Sequence, residues 1–105
     1  LQTGREPTLP TTVKVGWSGS NLYFAVRCSE VPGQQPNVKT TNDGDPTLWY
    51  GDAVEFLIET NSHSYYQIAV NPAGAIVDFD RAANRRSWDQ WDSKAEVATQ
   101  VGDGF

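Results

Sequence analysis

The sequence predicts an all-β protein: an antiparallel β-sandwich, jelly-roll-like, of about six strands with little or no helix. Three observations lead there. Apolar residues alternate with polar ones over short runs, the period of a strand with one face covered. The runs are separated by clusters of Gly, Pro, Asn and Ser, the residues of turns. No stretch reads as a convincing helix.

The elements follow in order. Residues 1–11 are polar, contain Pro7 and Pro10, and read as a lead-in segment before a domain over 12–105. Val13, Val15 and Trp17 alternate with Lys14 and Gly16; Ser18-Gly19-Ser20-Asn21 supplies a turn; Leu22, Phe24, Val26 and Cys28 alternate with Tyr23, Ala25 and Arg27. Period two on both sides of a glycine-containing turn predicts a hairpin. Residues 29–48 hold three prolines and two glycines and read as a long loop, a length that is often functional in a compact domain. Residues 52–60 form the strongest strand pattern, with Val54, Phe56 and Ile58 on one side and Ala53, Glu55, Leu57 and Glu59 on the other. After a turn at 61–64, residues 65–70 return, with Tyr66, Ile68 and Val70 opposite Tyr65, Gln67 and Ala69. Asn71-Pro72-Ala73-Gly74 turns again into a strand over 75–80, with Val77 and Phe79 inward and Asp78 and Asp80 outward. Residues 81–93 read as an irregular loop, and 94–101 as a sixth strand. The turn Gly102-Asp103-Gly104 points to a further strand beyond Phe105. With no methionine at its start, the chain reads as a piece of a longer protein, incomplete at both ends.

Composition narrows the function. The chain of 105 residues is long enough for one domain, and 38% hydrophobic residues allow a single core. A net charge of -5 argues against nucleic acid, which requires a basic face; Arg85-Arg86 is an isolated basic pair. The single cysteine, Cys28, excludes an intrachain disulfide and reads as a small buried hydrophobe in its strand. No apolar run reaches the length of a membrane span and no signal peptide is visible.

Several residues are candidates for function. Trp49 stands where the long loop meets the strongest strand, beside Tyr50. There it either caps the edge of the core or offers an apolar face to a sugar ring, whose axial C–H groups stack on aromatic rings while its hydroxyls take polar partners. Glu55 and Gln67 fall on the face opposite Val54, Phe56 and Ile58, on strands joined by a tight turn, so they are close to being cross-strand neighbours. A carboxylate beside an amide offers acceptors and donors to vicinal hydroxyls, or is simply a solvated sheet face. Asn42, Asp43 and Asp45, with Gly44 among them, resemble half of a calcium site, though no glutamate completes the spacing; a turn rich in Asx residues is the alternative. Trp88 and Trp91 form a second platform or pack against the sheets, with packing expected for one of them. His63 reads as an isolated residue in a polar turn.

The blocks LYFAVRCSE at 22–30, LWYGDAVEFLIET at 48–60 and YYQIAVNPAGAIVDFD at 65–80 together resemble the family 9 carbohydrate-binding modules and their relatives, over residues 12–105. The resemblance implies a non-catalytic sandwich module of an exported, periplasmic or cell-surface protein, joined to further domains such as a glycoside hydrolase, with an oligo- or polysaccharide as partner. It implies that Trp49 stacks on a sugar ring, that Glu55 bonds hydroxyls and that Gln67 lines the same site. It also admits a structural calcium. The chain departs from the family in carrying Ala69 where some members have an arginine, and in ending before the position of a second sandwiching tryptophan.

Other functions fit less well. A glycosidase needs two carboxyl groups about 5–9 Å apart across a cleft. Asp52 falls on the face opposite Glu55, and Glu59 lies about 13 Å along the strand. A haem role asks for axial ligands such as His and Met, and the chain has one histidine and no methionine. A structural or protein-interaction module without sugar binding is the main alternative.

Overall fold

The computed structural model describes residues 4–105. These residues form five antiparallel strands in two sheets, with two short 3₁₀ helices and no α-helix. The first three residues of the lead-in segment lie outside the described residues. No described helix is long and apolar enough to cross a membrane. The chain divides into two compact units, residues 1–35 with 101–105 and residues 36–100.

The first unit is built on a hairpin of β1 (Thr11–Ser18) and β2 (Asn21–Cys28). The register runs without interruption from Thr11 opposite Cys28 to Ser18 opposite Asn21. Gly19 takes φ 59°, which the first central residue of such a two-residue loop requires. The last residues of the chain join this unit: Glu30 N donates to Gly104 O at 2.8 Å, and the Arg27 guanidinium lies 4.2 Å from the centre of the Phe105 ring. Cys28 is exposed, contrary to the expectation of a buried thiol. It is the last residue of a two-stranded ribbon, and a ribbon encloses neither of its own faces.

The second unit carries β3 (Val54–Thr60), β4 (His63–Val70) and β5 (Ile76–Asp80), ordered β3-β4-β5. Leu57 pairs with Gln67 and Gln67 with Phe79; Glu55 pairs with Ala69 and Ala69 with Val77. One face therefore carries Glu55, Leu57, Gln67, Ala69, Val77 and Phe79. Val77 and Phe79 thus share the Glu55–Gln67 face rather than that of Val54, Phe56 and Ile58. The fully buried apolar residues are Leu48, Ala69, Ala75 and Val77, with Trp49 and Phe79 packed against them. Burying Leu48 completely contributes about 1.5–3 kcal/mol and anchors the 3₁₀ helix Pro46–Tyr50.

Side-chain hydrogen bonds fix the loops of this unit. Buried Asn71 accepts from the amides of Ala73 and Ala75 through Oδ1 and donates from Nδ2 to Thr40 O, all within 3.1 Å. Asp52 N donates to Asn37 O, and Asn37 N donates back to Asp52 Oδ2, each at 2.8 Å.

The sixth expected strand, 94–101, does not form. Lys94 has φ 56°, outside strand geometry. The amides of Ser93, Lys94 and Ala95 donate to side chains, of Asp78, Asp92 and Ser93, instead of to a neighbouring strand. Short polar side chains have taken the place of a ladder.

Candidate functional site

The structure brings Trp49, Glu55 and Gln67 together on one sheet face. Each arrives by a different route. Asp45 caps the 3₁₀ helix Pro46–Tyr50 by accepting from Thr47 N at 2.9 Å and from Thr47 Oγ1 at 2.8 Å, while Pro46 starts it with its φ preset. That turn buries Leu48 and delivers Trp49 to the sheet. Glu55 lies one residue into β3, and Gln67 lies in the middle of β4 at 8% exposure.

A line of hydrogen bonds connects them. The Trp49 Nε1–H donates to Glu55 Oε1. Gln67 Nε2 donates to Glu55 Oε2 at 3.2 Å, and Arg81 Nε donates to Gln67 Oε1 at 2.6 Å. The Gln67 amide orientation follows from its neighbours: a carboxylate can only accept and a guanidinium can only donate. The indole of Trp49 stacks on Phe79 with ring centres 5.6 Å apart and planes 9° from parallel. The Arg81 guanidinium lies 4.6 Å from the centre of the Phe79 ring and 4.5 Å from that of Trp88. Trp88 is itself held by Nε1–H to Ala83 O at 2.9 Å.

Two further apolar side chains are exposed, Tyr50 next to Trp49 in sequence and Leu57 on the same sheet face as Glu55 and Gln67. Tyr50 is 76% exposed and Leu57 is 64% exposed. A hollow of about 290 Å³ is lined by Leu57, Glu59, Ser64 and Tyr65. A second, of about 350 Å³, is lined by residues of the 38–42 loop and Asp45, without Trp49.

The other candidates lie apart from this line. Asp43 Oδ1 accepts from Ile76 N at 2.9 Å, and Asn42 N donates to Thr40 Oγ1 at 3.1 Å. Asp45 lies below the ordinary carboxylate pKa because the Thr47 amide, the Thr40 hydroxyl and the Thr47 hydroxyl all donate to its charged form. No three His, Cys, Asp or Glu side chains are grouped to hold a metal ion among the described residues. Asp52 Oδ2 is bonded to the Asn37 amide, as above.

His63 is not the isolated turn residue expected from the sequence. It opens β4, its Nε2 is 2.6 Å from Asp80 Oδ1, and its ring stacks on Tyr66 at 4.4 Å. Tyr66 in turn stacks on Trp91 at 4.5 Å. Both loop tryptophans therefore pack: Trp91 on Tyr66, and Trp88 against the two arginines Arg81 and Arg85.

Sequence reasoning missed Arg81 and Phe79 as parts of the site. The signal was the alternation of β5, since Val77, Phe79 and Arg81 have the same parity and Phe79 is the cross-strand partner of Gln67. Comparison of the chain with protein-family models, with curated proteins and with solved structures gives no match.

Proposed function

We propose that this chain is a non-catalytic carbohydrate-binding module with a jelly-roll-like β-sandwich fold. In this reading it is part of a larger extracellular, periplasmic or cell-surface protein, such as a glycoside hydrolase. The observation that carries the proposal is the joining of Trp49, Glu55 and Gln67 on one sheet face by hydrogen bonds. The Trp49 indole, stiffened by Phe79 behind it, offers its other side to the C–H patch of a sugar ring. Glu55 has lone pairs beyond those used by Trp49 and Gln67 and accepts from hydroxyls. Exposed Tyr50 and Leu57, with the hollow beside Tyr65, extend the surface for a longer saccharide. In this reading the module supplies binding alone, with Glu55, already accepting from Trp49 and Gln67, serving as an acceptor.

A second reading, a structural or protein-interaction module, draws on the same geometry. Trp49, Glu55 and Gln67 satisfy one another without a ligand, and Trp49 packs on the core.

Affinity electrophoresis and a glycan array on the chain, with Trp49→Ala and Glu55→Gln beside it, separate the two. Binding by the parent chain that is lost in both variants, with their sheet signal in circular dichroism unchanged, supports the sugar site. Undiminished binding by Trp49→Ala would place the site elsewhere. A folded parent chain that binds no glycan would leave the second reading.

A further inference from the structure

We propose that the ligand of this site is an acidic saccharide, one carrying a uronate carboxylate, and that Arg81 is the residue that selects it. The inference rests on the sugar-binding reading and adds the ligand's charge class.

The chain as a whole is acidic, with 13 Asp and Glu against 8 Lys and Arg. Yet three of those eight, Arg81, Arg85 and Arg86, fall within the six residues that follow β5. Arg81 is the one built into the Trp49 face. Its guanidinium lies against the rings of Phe79 and Trp88, and its Nε is fixed on Gln67 Oε1. Three contacts thus define the position of a side chain that otherwise has many rotamers.

What Arg81 lacks is a counter-charge. The ion pairs among the described residues are His63 with Asp80 and Lys94 with Asp92. Asp80, next in sequence, belongs by alternation to the other face of the sheet, and its Oδ1 is bonded to His63 and to the amides of Ala82 and Ala83. Glu55 is kept one amide away by Gln67, with both oxygens already accepting. The two terminal nitrogens of Arg81 make no hydrogen bond to described residues. A guanidinium that is oriented, unpaired and adjacent to an aromatic platform is a receptor for a planar carboxylate, which it binds through two parallel N–H···O bonds. On a uronate the carboxylate projects from the rim of the ring, so a ring stacked on Trp49 presents it sideways, toward the sheet edge that Arg81 occupies. Arg85, 5.9 Å from the centre of the Trp88 ring on which Arg81 also lies, adds positive potential beside Arg81.

The test is isothermal titration calorimetry of the full chain at low ionic strength. The probes are an oligogalacturonide, the same oligosaccharide after reduction of its carboxylates to alcohols, and a sulfated neutral oligosaccharide. The uronide is expected to bind about tenfold more tightly than its reduced form, the worth of one charge-assisted bidentate pair. Arg81→Gln is expected to bind the two alike, and Arg81→Lys, which keeps the charge but not the fork, to retain only part of the preference. Equal binding of uronide and reduced oligosaccharide by the parent chain would overturn the inference while leaving the sugar-binding reading in place, and it needs no variant to fold. A preference that survives Arg81→Gln, or equally tight binding of the sulfated probe, would also overturn it. Binding of none of the three would overturn the inference, and the glycan array then decides the sugar-binding reading separately.

Discussion

Arg81 Nε lies 2.6 Å from Gln67 Oε1, tying the residue that follows β5 to the middle of β4. Because the opposite end of the same amide donates to Glu55, Gln67 sits between a guanidinium and a carboxylate and keeps them apart. The arrangement orders three side chains with one amide and leaves the charge of each ionic group directed at the face.

Replacing that amide should expose its role. Gln67→Leu preserves volume but leaves Arg81 Nε and Glu55 Oε2 without their partner, at a position only 8% exposed. A loss of about 1–3 kcal/mol is expected, moderated by water reaching Arg81. For a domain of this size that corresponds to a fall in Tm of roughly 4–8 °C per kcal/mol. An unchanged melting curve would show that the line of hydrogen bonds adds nothing to stability.

Gly51 and Gly16 make a second, purely steric comparison. A Cβ on Gly51 would stand 2.2 Å from Asn37 O, a backbone atom held by its bond to Asp52 N, whereas a Cβ on Gly16 meets nothing within 4 Å. Neither glycine has a positive φ, so backbone strain does not enter. Gly51→Ala should destabilise by about 1–3 kcal/mol through overpacking. Gly16→Ala should stay within about 0.5 kcal/mol of the parent. Urea melts of the pair decide it, and equal midpoints would refute the assigned clash.

How much of this was legible in the residues depends on how local the determinant is. The nearness of Glu55 and Gln67 was readable because strand alternation and a tight turn fix register between them. Structure places the pair two residues off direct opposition, Gln67 facing Leu57, a diagonal that long side chains still span. Arg81 shares the parity of Phe79, yet the strand pattern closes at Asp80 and a loop follows, so alternation pointed to it only weakly; its amide donates to Tyr65 O at 3.1 Å and carries the pairing one residue further. His63 read as a turn residue because Asn61 and Ser62 precede it, yet the two-residue turn ends before it and Asp80 comes from a strand 17 positions away. The alternation of Ala95, Val97, Thr99 and Val101 was a true pattern without a strand. Pattern sets which faces a segment could offer, while a ladder also needs a free edge and extended backbone, and Lys94 at φ 56° breaks the second condition.

Asp45 links loop chemistry to the position of Trp49. Asp45→Ala removes the cap of the 3₁₀ helix that carries Leu48 and Trp49, and should lower the melting temperature. Asp45→Asn retains a capping oxygen for Thr47 N and should recover most of that loss. If the carboxylate's charge, rather than its geometry, is what matters, the Asn variant will melt with the Ala variant.

The last expectation concerns acid. Burial raises the Asp80 carboxyl, but the hydrogen bond from His63, the amides of Ala82 and Ala83 and the His63 charge outweigh it, so the group ends below its ordinary value of 3.8. A carboxylate whose folded pKa is depressed contributes stability that is complete above its unfolded value and disappears as pH falls through the folded value. Asp45 is shifted in the same direction, so their contributions vanish over the same window, from about pH 3.8 downward. Asp92 is lowered by exposed Lys94 and is screened by solvent, so its part in the transition is small. Thermal melts from neutral pH to pH 2 should therefore show stability holding through pH 5 and falling steeply below about 4. Asp80→Asn should be less stable than the parent at neutral pH, since an amide holds His63 more weakly than a carboxylate, and its decline in acid should be shallower. If parent and variant decline in parallel, Asp80 is not among the groups that set the acid limit.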